Sequence, residues 1–222
     1  MSDSVILDKY VEKVSKKGRM LSDFKKGMRI RAAKGMAVTK DYIYVLKEAP
    51  GQGFAEGFTP YLTPAEMLFM GVFEGKYLTD CYTEFPKDWF LWAAAGGRLA
   101  PLGLKPDVSH NYFGVDSRQP LSVWRENGWV PGPGARREAG PGSGRDILAD
   151  KVLNPDERGW FQWYCRYWMG RRIPDLDKVQ INRWRSFTRH VGRIRHGCEP
   201  GDLNCHRRER QALLQWAYNP FI

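Results

Sequence analysis

Apolar residues recur with a helical period along most of the chain, and this pattern predicts a mainly α fold. Near the N-terminus, residues 3–17 carry their apolar side chains on one helical face, and Gly18 ends the helix. Short strands are expected at residues 28–38 and 42–46, the second of which is rich in β-branched and aromatic residues. We therefore expect a compact helical domain with a small β element near the N-terminus.

Capping signals predict where the other helices begin. Thr63-Pro64-Ala65-Glu66 joins a capping residue, a proline and a glutamate in the order of a capping box, so a helix is expected to Met70. Asn154 to Glu157 has the same order and predicts a helix to about Met169, closed by Gly170. The remaining helices are expected at residues 86–95, 120–127, 174–196 and 202 to about 218.

The predicted organisation has two parts and one insertion. Residues 1–58 form a basic N-terminal part with a helix and short strands, and residues 59–222 form a helical core domain. Residues 131–146 are rich in glycine and proline, which cannot pack a core, so they are interpreted as an insertion, a linker or a mobile flap.

The charge is distributed unevenly. The chain carries +10 overall, with +7 on residues 1–40, −4 on residues 41–150 and +7 on residues 151–222. Two basic ends around an acidic middle are typical of a polyanion-binding protein, although basic runs also serve solubility alone. We expect nucleic acid as the partner, duplex DNA before RNA, with the oligomeric state open.

Neither a membrane span nor a secretion signal is evident in the sequence, since no apolar run approaches ~18 residues. We therefore expect a soluble, cytoplasmic protein with no membrane partner. In that compartment free thiols or a metal site are expected before a disulfide, although a loop disulfide stays an alternative. The candidate zinc ligands, whose spacing matches no standard zinc ribbon or knuckle, are His196, Cys198, Cys205 and His206.

One face of the predicted helix 174–196 is basic and has no carboxylate to balance it. Cations three or four residues apart repel each other, so an external phosphate backbone or the acidic middle of the chain is expected to neutralise them. The candidate phosphate-binding residues on this face are Lys178, Arg185, Arg189 and Arg193, with Asn182 and His196 between and after them.

A second cluster converges on the turn between the predicted helix that ends near Met169 and the predicted helix 174–196. Its members are Gln162, Arg166, Arg171, Arg172, Asp175, Gln180 and Arg183. Arginines with a carboxylate suit an anionic ligand and an acid/base group, and a purely structural network is the equal alternative. In the structural interpretation, Asp175 or Asp177 pairs with the buried Arg183.

A third candidate is the glycine-flanked segment from Gly71 to Asp80. Its glycines would let an anion approach the backbone beside Lys76, and Asp80 ends it. The spacing is not that of a P-loop, and a plain turn is the favoured interpretation.

Several segments resemble an uncharacterised family of phage, giant-virus and fungal proteins over about residues 60–220. They are residues 122–129, 159–167 (GWFQWYCRY), 170–172 (GRR), 180–184 (QINRW) and 210–218. The resemblance suggests a link to the predicted amino acid:DNA transferases of phage base hypermodification. It implies joining an amine to an activated pyrimidine in DNA with loss of pyrophosphate. Arg166, Arg171, Arg172 and Arg183 would then clamp the leaving group, with Asp175 or Asp80 as base.

Three functions follow from these features. The first is a phage- or viral-type nucleic-acid-binding protein that modifies DNA bases. The second is a non-catalytic DNA- or RNA-binding or assembly protein. The third is an enzyme acting on a small phosphorylated metabolite, which would have little affinity for DNA.

Overall fold

The protein is mainly helical with one small sheet, as expected, in a computed structural model that describes residues 2–33, 41–132 and 144–222. The helices are α1 (Asp3–Lys17), α2 (Pro64–Met70), α3 (Lys87–Ala95), α4 (Leu121–Glu126), α5 (Arg145–Ala149), α6 (Trp160–Trp168), α7 (Pro174–Ser186), α8 (Thr188–Gly197) and α9 (Arg207–Gln215). The strands are β1 (Arg29–Arg31) and β2 (Ile43–Val45). Among the described residues, no helix combines the length and apolar character that crossing a bilayer requires.

The chain folds into two compact units, each discontinuous in sequence. The first unit contains residues 1–23, 55–118 and 186–222, and the second contains residues 24–54 and 119–185. The division expected near residue 58 stays a prediction.

In the first unit, α3 packs against both α1 and α2, and α8 packs against α9. The predicted capping box of α2 is confirmed: Glu66 N donates to Thr63 Oγ1 at 3.2 Å, and Thr63 N donates to Glu66 Oε2 at 2.7 Å. The core includes Val14 from α1, Met67 from α2 and Trp89 from α3. Burial of these apolar side chains fixes the helices that carry the polar groups described below.

In the second unit, β1 and β2 pair antiparallel, with Ile30 opposite Tyr44. The chain leaving α6 crosses the residues after β2, where Gly170 O accepts hydrogen bonds from the amides of Lys47 and Glu48. Gly170 has a φ of +106°, and a Cβ there would lie 2.0 Å from Glu48 O. Only glycine permits this approach, which holds α6 against the sheet.

The helix predicted from Asn154 is wrong at its start, because α6 begins at Trp160. The Asn154 side chain instead closes a turn: its Nδ2 donates to Leu148 O at 2.8 Å, and its Oδ1 accepts from Asp156 N at 3.0 Å. This turn directs Asp156 into the core, where it is fully buried.

The single helix predicted over residues 174–196 is also wrong, because it is interrupted at Phe187 between α7 and α8. Phe187 stacks on Trp216 with ring centroids 4.1 Å apart, a contact with a residue distant in sequence. The last helix begins at Arg207 rather than Asp202, because Asp202 Oδ1 accepts from the amides of Asn204 and Cys205 in a tight turn.

Two other expectations are met only in part. The first strand ends at Arg31, and residues 34–38 of its predicted range lie outside the described residues. Residues 133–143 of the predicted insertion also lie outside them, whereas its last residues begin α5.

Candidate functional site

The arginine cluster of the second unit is built around a carboxylate that sequence reasoning missed. Asp156 Oδ1 accepts from Arg166 Nη1 and from Arg171 Nη1, each at 2.8 Å, and Asp156 Oδ2 accepts from Arg171 Nη2. Arg166 and Asp156 are fully buried and Arg171 is 1% exposed. The carboxylate is enclosed with both of its cations.

Aromatic rings complete this ion cluster. The Arg166 guanidinium lies 5.4 Å from the ring centroid of Tyr42 and 5.7 Å from that of Tyr44. Burial acts to raise the pKa of Asp156, but Arg171 and Arg166 outweigh it and hold that pKa below its usual value. The ring faces add cation–π attraction to the ion pairs of the Arg166 guanidinium.

The two glutamines of the predicted cluster are buried in the same unit. Gln162 Oε1 accepts from Arg158 N at 2.9 Å, and Gln180 Oε1 accepts from Arg183 Nη1 at 2.9 Å. The Arg183 guanidinium also lies 5.3 Å from the Trp124 ring. Burial lowers the pKa of Arg183, although the group stays charged at neutral pH.

The carboxylates expected to pair with Arg183, and those expected to act as a base, have other surroundings. Asp177 accepts from Trp163 Nε1 and from Ile173 N, each at 2.8 Å, and burial raises the pKa of Asp177. Asp175 is exposed in the first turn of α7. Asp80, the other candidate base, is exposed in the first unit beside Cys81.

Two of the predicted phosphate-binding cations donate to carbonyl groups of the chain. Arg172 donates to the carbonyls of Tyr167, Arg171, Gln52 and Gly53 at 2.5–3.0 Å, which ties the end of α6 to a loop. Lys76 Nζ donates to Pro101 O at 3.0 Å and to Leu104 O at 2.7 Å. These contacts give both side chains a structural role, and phosphate binding by them stays a prediction.

The predicted basic face is divided between the units. Lys178 and Arg185 are exposed on α7 in the second unit, where Arg185 Nη1 donates to Asn182 Oδ1 at 3.2 Å. Arg189, Arg193 and His196 are exposed on α8 in the first unit.

The α8 surface, defined here by Arg189, Arg193 and Arg195, consists of three exposed basic side chains on one helix. Helix α8 contains no acidic residue. Within the described part of the chain, none of these three arginines lies in an ion pair, and Arg189 donates only to Ser186 O, at 3.2 Å. Arg189 and Arg193, four residues apart, share one face of α8, and Arg195 is exposed on another side of the helix.

The pKa of His190 depends on the positive charges of this helix. It is half-buried, with its ring 4.7 Å from that of Phe187. Burial first, then the charges of Arg189 and Arg193, lower the pKa of His190, while Glu209 on α9 acts in the opposite direction. The imidazole is therefore neutral at physiological pH beside two cations.

The predicted zinc ligands fall into a group of three and one outlier. Cys198, Cys205 and His206 offer ligand atoms that all lie within 4.8 Å of one another, so this group could hold a metal ion. His196 is not part of the group. Cys198 and Cys205 form a disulfide, contrary to the preference for free thiols, whereas Cys81 and Cys165 are free and buried.

A buried polar network in the first unit was also missed. Glu74, 4% exposed, pairs with Arg118, its amide donates to Asn111 Oδ1 at 2.8 Å, and its Oε1 lacks a hydrogen-bond partner among the described residues. Burial raises the pKa of Glu74, and Arg118 opposes the shift. Positive φ values of 52° at Phe73 and 51° at Glu74 hold this turn in a conformation that costs free energy. A sequence pattern gives no signal for it.

Comparison with known proteins leaves the geometry as the basis for function. No protein-family model, curated protein or solved structure matches this chain.

Proposed function

We propose that this protein binds nucleic acid, duplex DNA before RNA, through the α8 surface. The observation that carries the proposal is that Arg189, Arg193 and Arg195 are exposed on a helix without acidic residues and have no ion-pair partner among the described residues. Phosphates spaced along a backbone neutralise such a surface and release counterions, which favours binding.

The proposal is limited to binding. A leaving-group clamp for base modification needs guanidiniums open to a ligand, whereas Arg166 and Arg171 are buried against Asp156. The base-modification hypothesis therefore lacks support from the geometry of these two residues. The non-catalytic alternative, in which the arginine cluster serves the fold, is favoured by the same contacts.

The test replaces Arg189, Arg193 and Arg195 together by alanine and measures binding to a short fluorescent duplex by anisotropy across salt concentrations. We expect an affinity loss on the order of 100-fold at about 0.1 M salt, and a salt slope that falls by about 0.9 for each phosphate contact removed. If the protein is instead an enzyme of small phosphorylated metabolites, the unmodified protein should bind the duplex only weakly.

The matched control replaces three exposed lysines that lie elsewhere, Lys47, Lys105 and Lys151. It removes the same charge and should leave most of the affinity intact. Equal losses in the two triple variants, or binding by the unmodified protein that ignores salt, would refute an α8 interface.

Zinc is the metal we propose for the Cys/His group when its cysteines are reduced. Two soft thiolates and one borderline imidazole suit zinc, a borderline ion that accepts such ligands in tetrahedral sites, where water would complete the fourth position. The Glu209 carboxylate lies 3.6 Å from His206 Nδ1. It favours a proton on that nitrogen, so that Nε2 carries the lone pair for the metal.

A further inference from the structure

The loop that joins α8 to α9 contains the two cysteines and the histidine in an ordered frame. Arg210, fully buried, donates from Nε to Cys205 O at 2.8 Å and from Nη2 to Asp202 O at 3.0 Å. The Asp202 carboxylate accepts from Cys205 N at 3.3 Å. These bonds do not involve the sulfur atoms, so they order the backbone of Cys205 independently of the disulfide.

The imidazole of His206 lies over Gly197, the residue before Cys198. A Cβ at position 197 would come within 2.8 Å of His206 Nε2, so the missing side chain makes the space that the ring occupies. His206 is exposed, and Cys198 and Cys205 are half-buried, which leaves the group accessible to a reductant and to a metal ion.

We infer that Cys198, Cys205 and His206 form a redox-dependent metal site, in which the disulfide and the bound metal exclude each other. This inference rests on the zinc half of the proposed function. A sulfur in a disulfide carries no thiolate charge, and thiolate is the form that binds metal. The same two sulfur atoms therefore serve either state but never both.

The interconversion needs a dithiol reductant. It transfers two electrons and two protons to the sulfurs of Cys198 and Cys205 and leaves as a cyclic disulfide. Binding of a divalent cation then releases the two thiol protons, and His206 binds through its neutral nitrogen. Metal loading is thereby controlled by the thiol–disulfide balance around the protein.

The experiment titrates Co²⁺, a spectroscopic substitute for zinc, into the full chain before and after reduction with a dithiol that is removed under nitrogen. Only the reduced protein should bind one Co²⁺ ion with a thiolate-to-cobalt charge-transfer band. Equal binding by the oxidised protein would overturn the exclusion while leaving the zinc proposal intact. No binding by the reduced protein would overturn both.

A glycine pair tests the ligand set without removing a ligand. Gly197→Ala pushes the His206 ring aside, and we expect the reduced protein to lose at least about 10-fold in Co²⁺ affinity while its disulfide still forms on oxidation. Gly192→Ala, in the same helix, meets no atom within 4 Å and should bind Co²⁺ normally. An unchanged affinity in Gly197→Ala would overturn the role of His206.

Discussion

Asp156 is shielded from solvent, yet it carries the charge on which Arg166 and Arg171 depend. Removing one member of a buried ion cluster leaves the others desolvated and uncompensated, which costs more than the cluster itself contributes. For this reason we regard Asp156 as the most sensitive single position in the second unit.

We predict that Asp156→Asn lowers the free energy of unfolding by about 3–5 kcal/mol, because both guanidiniums lose their anion. Urea denaturation measures this change. The control is Glu126→Gln, an exposed carboxylate whose replacement should change stability by less than about 0.5 kcal/mol. A loss of less than about 1 kcal/mol for Asp156→Asn would show that the cluster is not held by this charge.

The pKa of Asp156 predicts how the difference between these proteins depends on pH. Since the folded pKa lies below the ordinary value of about 3.9, the stabilisation is complete above that value and is lost as the pH falls through the folded pKa. The gap in unfolding free energy between the wild type and Asp156→Asn should narrow in acid. A gap that stays constant from neutral pH down to acid unfolding would contradict this assignment.

At the scale of the element, α8 carries three exposed arginines and a histidine, His190, whose pKa two of them lower. In the free protein, burial and then the charges of Arg189 and Arg193 lower the pKa of His190. We predict that duplex DNA raises this pKa, because bound phosphates offset the two charges. NMR titration of the His190 ring with and without DNA measures the shift.

A rise in the His190 pKa also means that binding takes up protons, so DNA affinity should increase as the pH falls through the titration of His190. The variant Arg189→Ala/Arg193→Ala should raise the pKa of His190 in the free protein and reduce the further rise of that pKa on DNA binding. An identical His190 titration in free and DNA-saturated protein would place the DNA elsewhere.

Helix starts could be predicted from sequence only where local bonds decide them. Thr63 and Glu66 form the predicted capping box because their partners are each other. Asn154 and Glu157 have the same spacing and the same kinds of capping residue. The Asn154 side chain bonds to Leu148 O instead, and the helix starts later. The interruption at Phe187 depends on Trp216, which no local pattern includes.

Part of the buried arginine cluster could be grouped from the sequence, but the carboxylate that pairs with its arginines could not. Gln162, Arg166, Arg171 and Gln180 could be grouped from the sequence, and the structure buries all four in one unit. Asp156 was not among them, because its segment was assigned to a helix start. An arginine on a helix that is aromatic all round needs an acid, and this requirement was the available signal.

At the scale of the whole molecule, neither unit is a continuous stretch of chain. The chain crosses from one unit to the other at residues 23, 54, 118 and 185. A fragment of residues 59–222 would lack α1, whose Val14 is fully buried, and both strands of the second unit.

We predict that the fragment 59–222 does not fold cooperatively, because each unit loses buried surface that the remaining residues cannot replace. Thermal melting followed by near-UV circular dichroism tests this, with the full chain as the control. A sharp transition and a native-like aromatic spectrum for the fragment would instead support the core domain expected from the sequence.

The tryptophans, three of which lie in α6, are divided unequally between the two units, and this affects optical measurements on the protein. Six of the nine tryptophans belong to the second unit, at positions 124, 129, 160, 163, 168 and 184, and three belong to the first, at 89, 92 and 216. Intrinsic emission will therefore follow the second unit more closely than the first. Far-UV ellipticity comes from helices in both, so melting curves recorded by the two signals will coincide only if the units unfold together.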